Sequence, residues 1–271
     1  MLFKDIHTIP EEEYVTCQRI VEHCRSRGIH YIKPDPIKYG HYDFLVSNYG
    51  WNGFYDICEL RNTKTLVTGY SDFSIDGHEM DILEQPVLEK WFANNVGIRH
   101  PKLIAVPLGL PNEVDFPVYG NTRRLHEVAN SPSGNKGLAY MNFKIDTFPA
   151  ERSVVKQMFS GLDWVTESSI DLSEDGHRKY LEEIRDHMFC FCPRGNGVDT
   201  HRMLECIYLG SIPICKRSVA LEQFSELPIL FIDDWEEVTP EYLEKVYEDF
   251  STRVWDIRKI LMSYWKSQIV I

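Results

Sequence analysis

HMFCFCPRGNGVDTHRMLECIYLGSIPICK, residues 187–216, reads as strand, loop, helix and strand in succession. Met188–Cys192 and Ile212–Cys215 are short apolar runs bounded by breakers, the pattern of parallel strands covered on both faces. Between them lie the loop Pro193-Arg194-Gly195-Asn196-Gly197, a helix from Thr200 to Leu209 and a stop at Gly210. The unit is a β-loop-α-β crossover and makes the chain an α/β protein.

The loop and helix bear charge that a plain crossover does not need. Arg202 and Glu205 are three residues apart and share a helix face, and Arg194 precedes them in the loop. In open α/β sheets ligands gather beyond the carboxyl ends of strands, against helix N-termini whose free N–H groups attract anions. Two arginines there suit a diphosphate, and a carboxylate such as Glu205 suits a ribose diol. The competing reading makes Arg202 and Glu205 a surface i,i+3 pair with Arg194 solvated.

Taken together, Pro193-Arg194-Gly195, Arg202, Glu205 and Gly210-Ser211-Ile212-Pro213 resemble the carboxyl-terminal signature of the exostosin-like glycosyltransferases, above all their short bacterial and large-DNA-virus members. Ser71-Asp72, Lys90 to Asn95, His100-Pro101-Lys102 and Val106 to Leu110 match the same proteins in the same order. The resemblance spans roughly residues 65 to 235. It departs at Asn196-Gly197-Val198-Asp199, where the family often has a Ser/Thr-rich segment. It implies a GT-B fold, two Rossmann-like domains across a cleft with the sugar nucleotide held mainly by the second. The expected division is residues 1–133 on the acceptor side, 134–250 on the nucleotide-sugar side, and a C-terminal helix in 251–271 packing back on the first.

Composition is compatible with this. The chain has 271 residues, 43% hydrophobic and 26% charged, with a formal net charge of −12. That balance argues against a broad nucleic-acid surface, which needs clustered Lys and Arg, yet leaves room for one positive pocket. The seven cysteines are an odd number and several lie in apolar runs, so they read as reduced, buried thiols. Cys190 and Cys192 face one way on a strand but lack the spacing of a zinc site. The opening MLFKDIHTIPEEE lacks a basic region followed by an apolar core, and no run of about eighteen apolar residues occurs. The expectation is a cytoplasmic protein with no membrane span, in a host cytoplasm if viral.

Further segments fill in the site and the fold. A helix is expected from Pro10 to Arg27, closed by Gly28, and a strand over Tyr42–Ser47. The following loop, with Trp51 and Asn52, could stack on a sugar and bond its hydroxyls, or cap the core. Ser71-Asp72 falls at the carboxyl end of the strand Thr65–Gly69, where active-site groups of α/β proteins collect. Asp72 is the first candidate for a general base, its alternative role being a helix cap. His78 and Glu79 are secondary candidates, Glu79 as a carboxylate that tunes Asp72. Residues Glu79 to Asn95 are expected to be largely helical, broken by Pro86, and Asn130–Lys136 to be a linker. Arg152 stands in the first turn of a helix over Ala150–Phe159, where the dipole disfavours a cation, which suggests a phosphate contact. The last helix is expected over Thr252–Lys266.

No two aspartates have the D-x-D spacing that often presents carboxylates to a divalent ion, and no GxGxxG fingerprint or P-loop is present. The expected chemistry is therefore a metal-independent transfer without a cofactor. Arg194, Arg202 and helix N–H groups stabilise the leaving diphosphate, Glu205 holds the ribose, and Gly195, Asn196, Asp199 and His201 lie near phosphate or sugar. Asp72 deprotonates the acceptor, with Ser71, Trp51 and Asn52 beside it. The family resemblance further implies inversion, a uridine diphosphate sugar, with xylose expected from the short viral relatives, and a glycan acceptor. A non-catalytic protein binding a nucleotide sugar or glycan is the alternative.

Overall fold

The computed structural model describes residues 3–34, 45–47, 63–77, 79–134 and 136–271. The chain is α/β, with two five-stranded, largely parallel sheets and, among the described residues, nine α-helices. The first half supplies α1 (Cys17–Arg27), β1 (His30–Pro34), β2 (Leu45–Ser47), β3 (Thr65–Thr68), α2 (Met80–Leu83), β4 (Lys90–Ala93), β5 (Leu103–Ala105) and α3 (Thr122–Ala129). Its sheet runs β2-β1-β3-β4-β5, parallel except for the antiparallel edge pair β1–β2.

The second half supplies β6 (Gly137–Met141), α4 (Pro149–Phe159), β7 (Val165–Glu167), α5 (Glu174–Arg185), β8 (His187–Phe191), α6 (His201–Tyr208), β9 (Ile212–Lys216), α7 (Val219–Glu222), β10 (Leu230–Ile232), α8 (Pro240–Thr252) and α9 (Met262–Gln268). All five strands are parallel, in the order β7-β6-β8-β9-β10. Strand order reverses between β6 and β8, and ligands of open α/β sheets bind at the carboxyl edge of such a point. The β8-loop-α6-β9 crossover agrees with the sequence to within a residue or two. Gly210 at φ +69° supplies the left-handed turn that ends the helix.

Three expected elements are corrected. Helix α1 begins at Cys17, where the Thr16 side chain accepts from Arg19 N–H, while Glu11–Glu13 form a separate 3-10 turn. Residues 79–95 are not largely helical. The helix stops at Leu83, and Lys90–Ala93 is a central strand between β3 and β5, with Trp91, Phe92 and Ala93 fully buried. A short apolar run after Pro86 has no periodicity to distinguish strand from helix. The expected helix 252–266 is also broken, because Arg253 turns extended and Trp255 packs on Phe250 at 4.7 Å and donates its indole N–H to the Phe250 carbonyl. Only Met262–Gln268 is α-helical there.

That last segment lies on the first half. Ser263 N–H donates to Glu13, a His23 ring nitrogen pairs with the Ile269 carbonyl at 2.8 Å, and the Thr65 hydroxyl donates to the Val270 carbonyl. One continuous apolar core runs through both halves. Tyr208 of α6 joins them, accepting from Val15 N–H at 2.8 Å and donating to the Ile260 carbonyl at 2.7 Å. Helix α3 ends at Ala129 and β6 begins at Gly137. No helix among the described residues is long and apolar enough to cross a membrane.

Candidate functional site

A cavity of about 480 Å³ opens at the carboxyl edge of the second sheet, beside the reversal point. Three strand ends contribute. Asn142, Phe143 and Lys144 follow β6, Ser168 to Leu172 follow β7, and Thr200, His201, Arg202 and Glu205 come from the loop and helix after β8. Pro111, Phe116 and Tyr119 close it from the first half.

The N-termini of α4 and α6 meet this space through Thr147, Arg152, Thr200 and Arg202. Among the described helices of eight residues or more, α1, α3, α5 and α8 have a side-chain N-cap, from Thr16, Asn121, Ser173 and Thr239. Helices α4 and α6 have none. Uncapped N-termini leave backbone donors for a ligand.

Arg202 and Glu205 do not form the direct i,i+3 ion pair of a surface helix. Tyr180 of α5 stands between them, its hydroxyl accepting from Arg202 Nε at 3.1 Å and donating to Glu205 Oε2 at 2.7 Å. Burial pushes the Glu205 carboxyl above its ordinary value, while the Tyr180 hydrogen bond and the Arg202 charge oppose that rise. Arg152 is buried and donates to the carbonyls of Arg194 at 2.8 Å and Lys144 at 2.7 Å. It thus ties the loops after β6 and β8 together at the cavity wall. Burial and the neighbouring Arg202 charge lower its pKa to about 10, which leaves it cationic at neutral pH. The lining holds the cations Lys144, Arg152, Lys179 and Arg202 against the carboxylates Asp171 and Glu205, a local positive excess in a chain of net charge −12. Its outer part is apolar, with Phe116, Ile170 and Leu172 partly exposed to solvent.

The structure therefore brings Arg152, His201, Arg202 and Glu205 to one cavity. The other expected donor-site residues lie in the adjoining loop outside that lining. The Arg194 guanidinium stacks 4.3 Å from the Phe148 ring and bonds the carbonyls of Gly195 and Asn196, so it braces its own loop. Asn196 donates to Asp72 at 3.4 Å. Asp199 is buried between the halves, accepting from Leu108 N–H at 2.5 Å while its own N–H donates to Asn95 at 2.8 Å.

Of the acceptor-side candidates, Asp72 is exposed and outside the lining. Glu79 is buried and accepts from the backbone N–H groups of Asp76 and Gly77 at 3.2 and 3.3 Å, closing its own loop. Ser71 takes side-chain amides of Asn94 and Asn95 on its carbonyl. Trp51, Asn52 and His78 lie outside the described residues.

Sequence reasoning missed Tyr180 and His177. Both stand on α5, and nothing local marks that helix as facing a ligand. The His177 Nδ1 atom accepts from Arg124 at 3.1 Å, and burial together with the Arg124 charge lowers its pKa to about 4. Also unforeseen is a group of thiols beneath the cavity. The sulfurs of Cys190, Cys192 and Cys206 lie within 4.8 Å of one another, because α6 packs on the face of β8 that bears the two strand cysteines. Three soft donors could hold a thiophilic metal. All three are buried, and burial raises each pKa, which suits protonated packing thiols. The six described cysteines are free.

The sequence matches no family model, and no curated protein is significantly similar to it.

Proposed function

We propose that this chain is a glycosyltransferase of GT-B type that moves a sugar from a nucleoside diphosphate to a glycan hydroxyl. The observation that carries this is the cavity at the reversal point of the second sheet, where Arg152, Arg202 and two uncapped helix N-termini converge beside a buried carboxylate. A diphosphate supplies the charge and acceptor oxygens that such a site lacks. In this reading Glu205, held by Tyr180 through one oxygen, accepts from a ribose diol with the other, and the apolar outer wall suits a flat base or sugar face. The exostosin-like resemblance supports the same assignment and favours a uridine nucleotide, with xylose as the sugar.

Departure of the diphosphate builds negative charge, which fixed guanidinium groups and helix N–H dipoles stabilise without reorganising. We propose direct, inverting displacement that needs no divalent ion, since the arginines take the role that paired aspartates with a metal play elsewhere. A thermal-shift panel of nucleotide sugars, with and without chelator, tests this on the wild type and on Glu205→Ala. A ligand bound only to the folded state raises its stability. One nucleotide sugar should raise the melting temperature, chelator should not abolish the rise, and Glu205→Ala should. No response to any nucleotide sugar at saturating concentration would refute the site. Dependence on a divalent ion would refute the metal-free chemistry.

A further inference from the structure

We infer that His201, in place of the exposed Asp72 outside the cavity lining, is the general base that takes the acceptor proton, an inference that rests on the glycosyl-transfer reading. His201 opens α6 and lines the cavity immediately before Arg202. Its Nδ1 lies 2.6 Å from the carbonyl oxygen of Gly109. A carbonyl only accepts, so Nδ1 must carry the hydrogen, and the neutral ring then keeps its lone pair on Nε2. Among the described residues Nε2 has no hydrogen-bond partner, and it is not a buried unpaired atom. Burial holds the imidazole below its ordinary pKa, against the opposing pull of the Gly109 carbonyl, Glu205 and Asp72. The ring is therefore neutral and able to accept at physiological pH.

The position also fits the geometry of transfer. Gly109 belongs to the first half, at φ +83°, and a Cβ there would come within 3.0 Å of the Val15 carbonyl. Glycine at 109 thus allows the tight passage against Val15 and Thr16, and its carbonyl reaches the ring. His201 thus sits where the loop before Pro111 meets the arginine-lined cavity, on the same lining as Arg202 and Glu205.

Other titratable groups of the lining are less suited. His177 uses its Nδ1 lone pair on Arg124, Glu205 uses one oxygen on Tyr180, and Asp171 accepts from Ser173 N–H in its own turn. In the step itself the acceptor O–H gives its proton to Nε2 while its oxygen bonds to the anomeric carbon. The anomeric C–O bond to phosphate breaks, and its electron pair leaves on the nucleoside diphosphate. The resulting imidazolium, steadied by the Gly109 carbonyl at Nδ1, returns its proton to water.

The test uses the full chain and the nucleotide sugar that shifts the wild type most. His201→Ala and His201→Gln are compared with the wild type for donor-induced thermal shift and for release of nucleoside diphosphate as the sugar is transferred to water or to a panel of simple glycosides. The variants should keep the donor shift and lose about 10²- to 10⁴-fold in kcat. They should also lose the acid limb of the pH–rate profile, and added imidazole should restore part of the rate of His201→Ala. If both variants bind donor and turn over within tenfold of the wild type, His201 is not the base and the transfer reading survives. A wild type that binds donor but releases no diphosphate under any condition favours the non-catalytic alternative and overturns the inference. If no nucleotide sugar binds, both fall together.

Discussion

Replacing Asp199 by asparagine should stabilise the protein at neutral and alkaline pH but not at pH 4. The Asp199 carboxyl is buried between the two halves, and its Oδ1 has no hydrogen-bond partner among the described residues. Burial raises its pKa from 3.8 to about 7, a rise that the backbone N–H groups of Leu108 and Thr200 only partly offset. The folded state therefore holds a proton that the unfolded chain releases near pH 4. Stability is full below that pH, falls as pH rises from about 4, and levels off beyond about 7. At about 1.36 kcal/mol per pH unit, ionisation of this group costs about 4 kcal/mol at pH 8.5. The Asp199→Asn variant avoids that cost and keeps a side-chain oxygen for Leu108 N–H, but its amide N–H faces the unpartnered position at a cost of about 1–3 kcal/mol. The net gain should be about 1–3 kcal/mol at pH 8.5, with no gain at pH 4. Urea unfolding of both proteins at a series of pH values measures the difference directly, since groups common to both cancel. A difference that stays constant between pH 4 and 8.5 would refute the raised pKa and the buried position behind it.

Tyr180→Phe removes the hydroxyl that joins Arg202 to Glu205; unfolding free energy should fall by about 1–3 kcal/mol, and nucleotide-sugar affinity should weaken in the same thermal-shift assay. Tyr208→Phe leaves Val15 N–H and the Ile260 carbonyl without their buried partner, which should cost about 1–3 kcal/mol, read as a lower urea midpoint with unchanged slope. Gly109→Ala forces a side chain onto a left-handed residue with backbone 3.0 Å away; it should destabilise by about 1–3 kcal/mol and lower kcat more than donor affinity, because the carbonyl that orients His201 must move.

The sequence alone located the β8-loop-α6-β9 unit to within a residue or two. Short apolar runs, breakers and a closing glycine define β8, α6 and β9 locally, because fully buried parallel strands leave continuous hydrophobic stretches. Charge three residues apart on α6 was enough to single out Arg202 and Glu205, and an ill-placed cation at a helix start singled out Arg152. Other features depended on the tertiary structure. Lys90–Ala93 is a strand because β3 and β5 pair with it, a long-range fact that four residues cannot encode. Tyr180 enters the site only because α5 and α6 pack side by side, and Cys206 joins Cys190 and Cys192 for a similar reason. The tautomer of His201 is set by a carbonyl 92 residues away in sequence, and the burial of Asp199 by a backbone N–H 91 residues away. Local propensity and periodicity describe what a segment can bury. Which polar atoms then meet depends on how the two sheets close on each other, and that is decided only when the whole chain has packed.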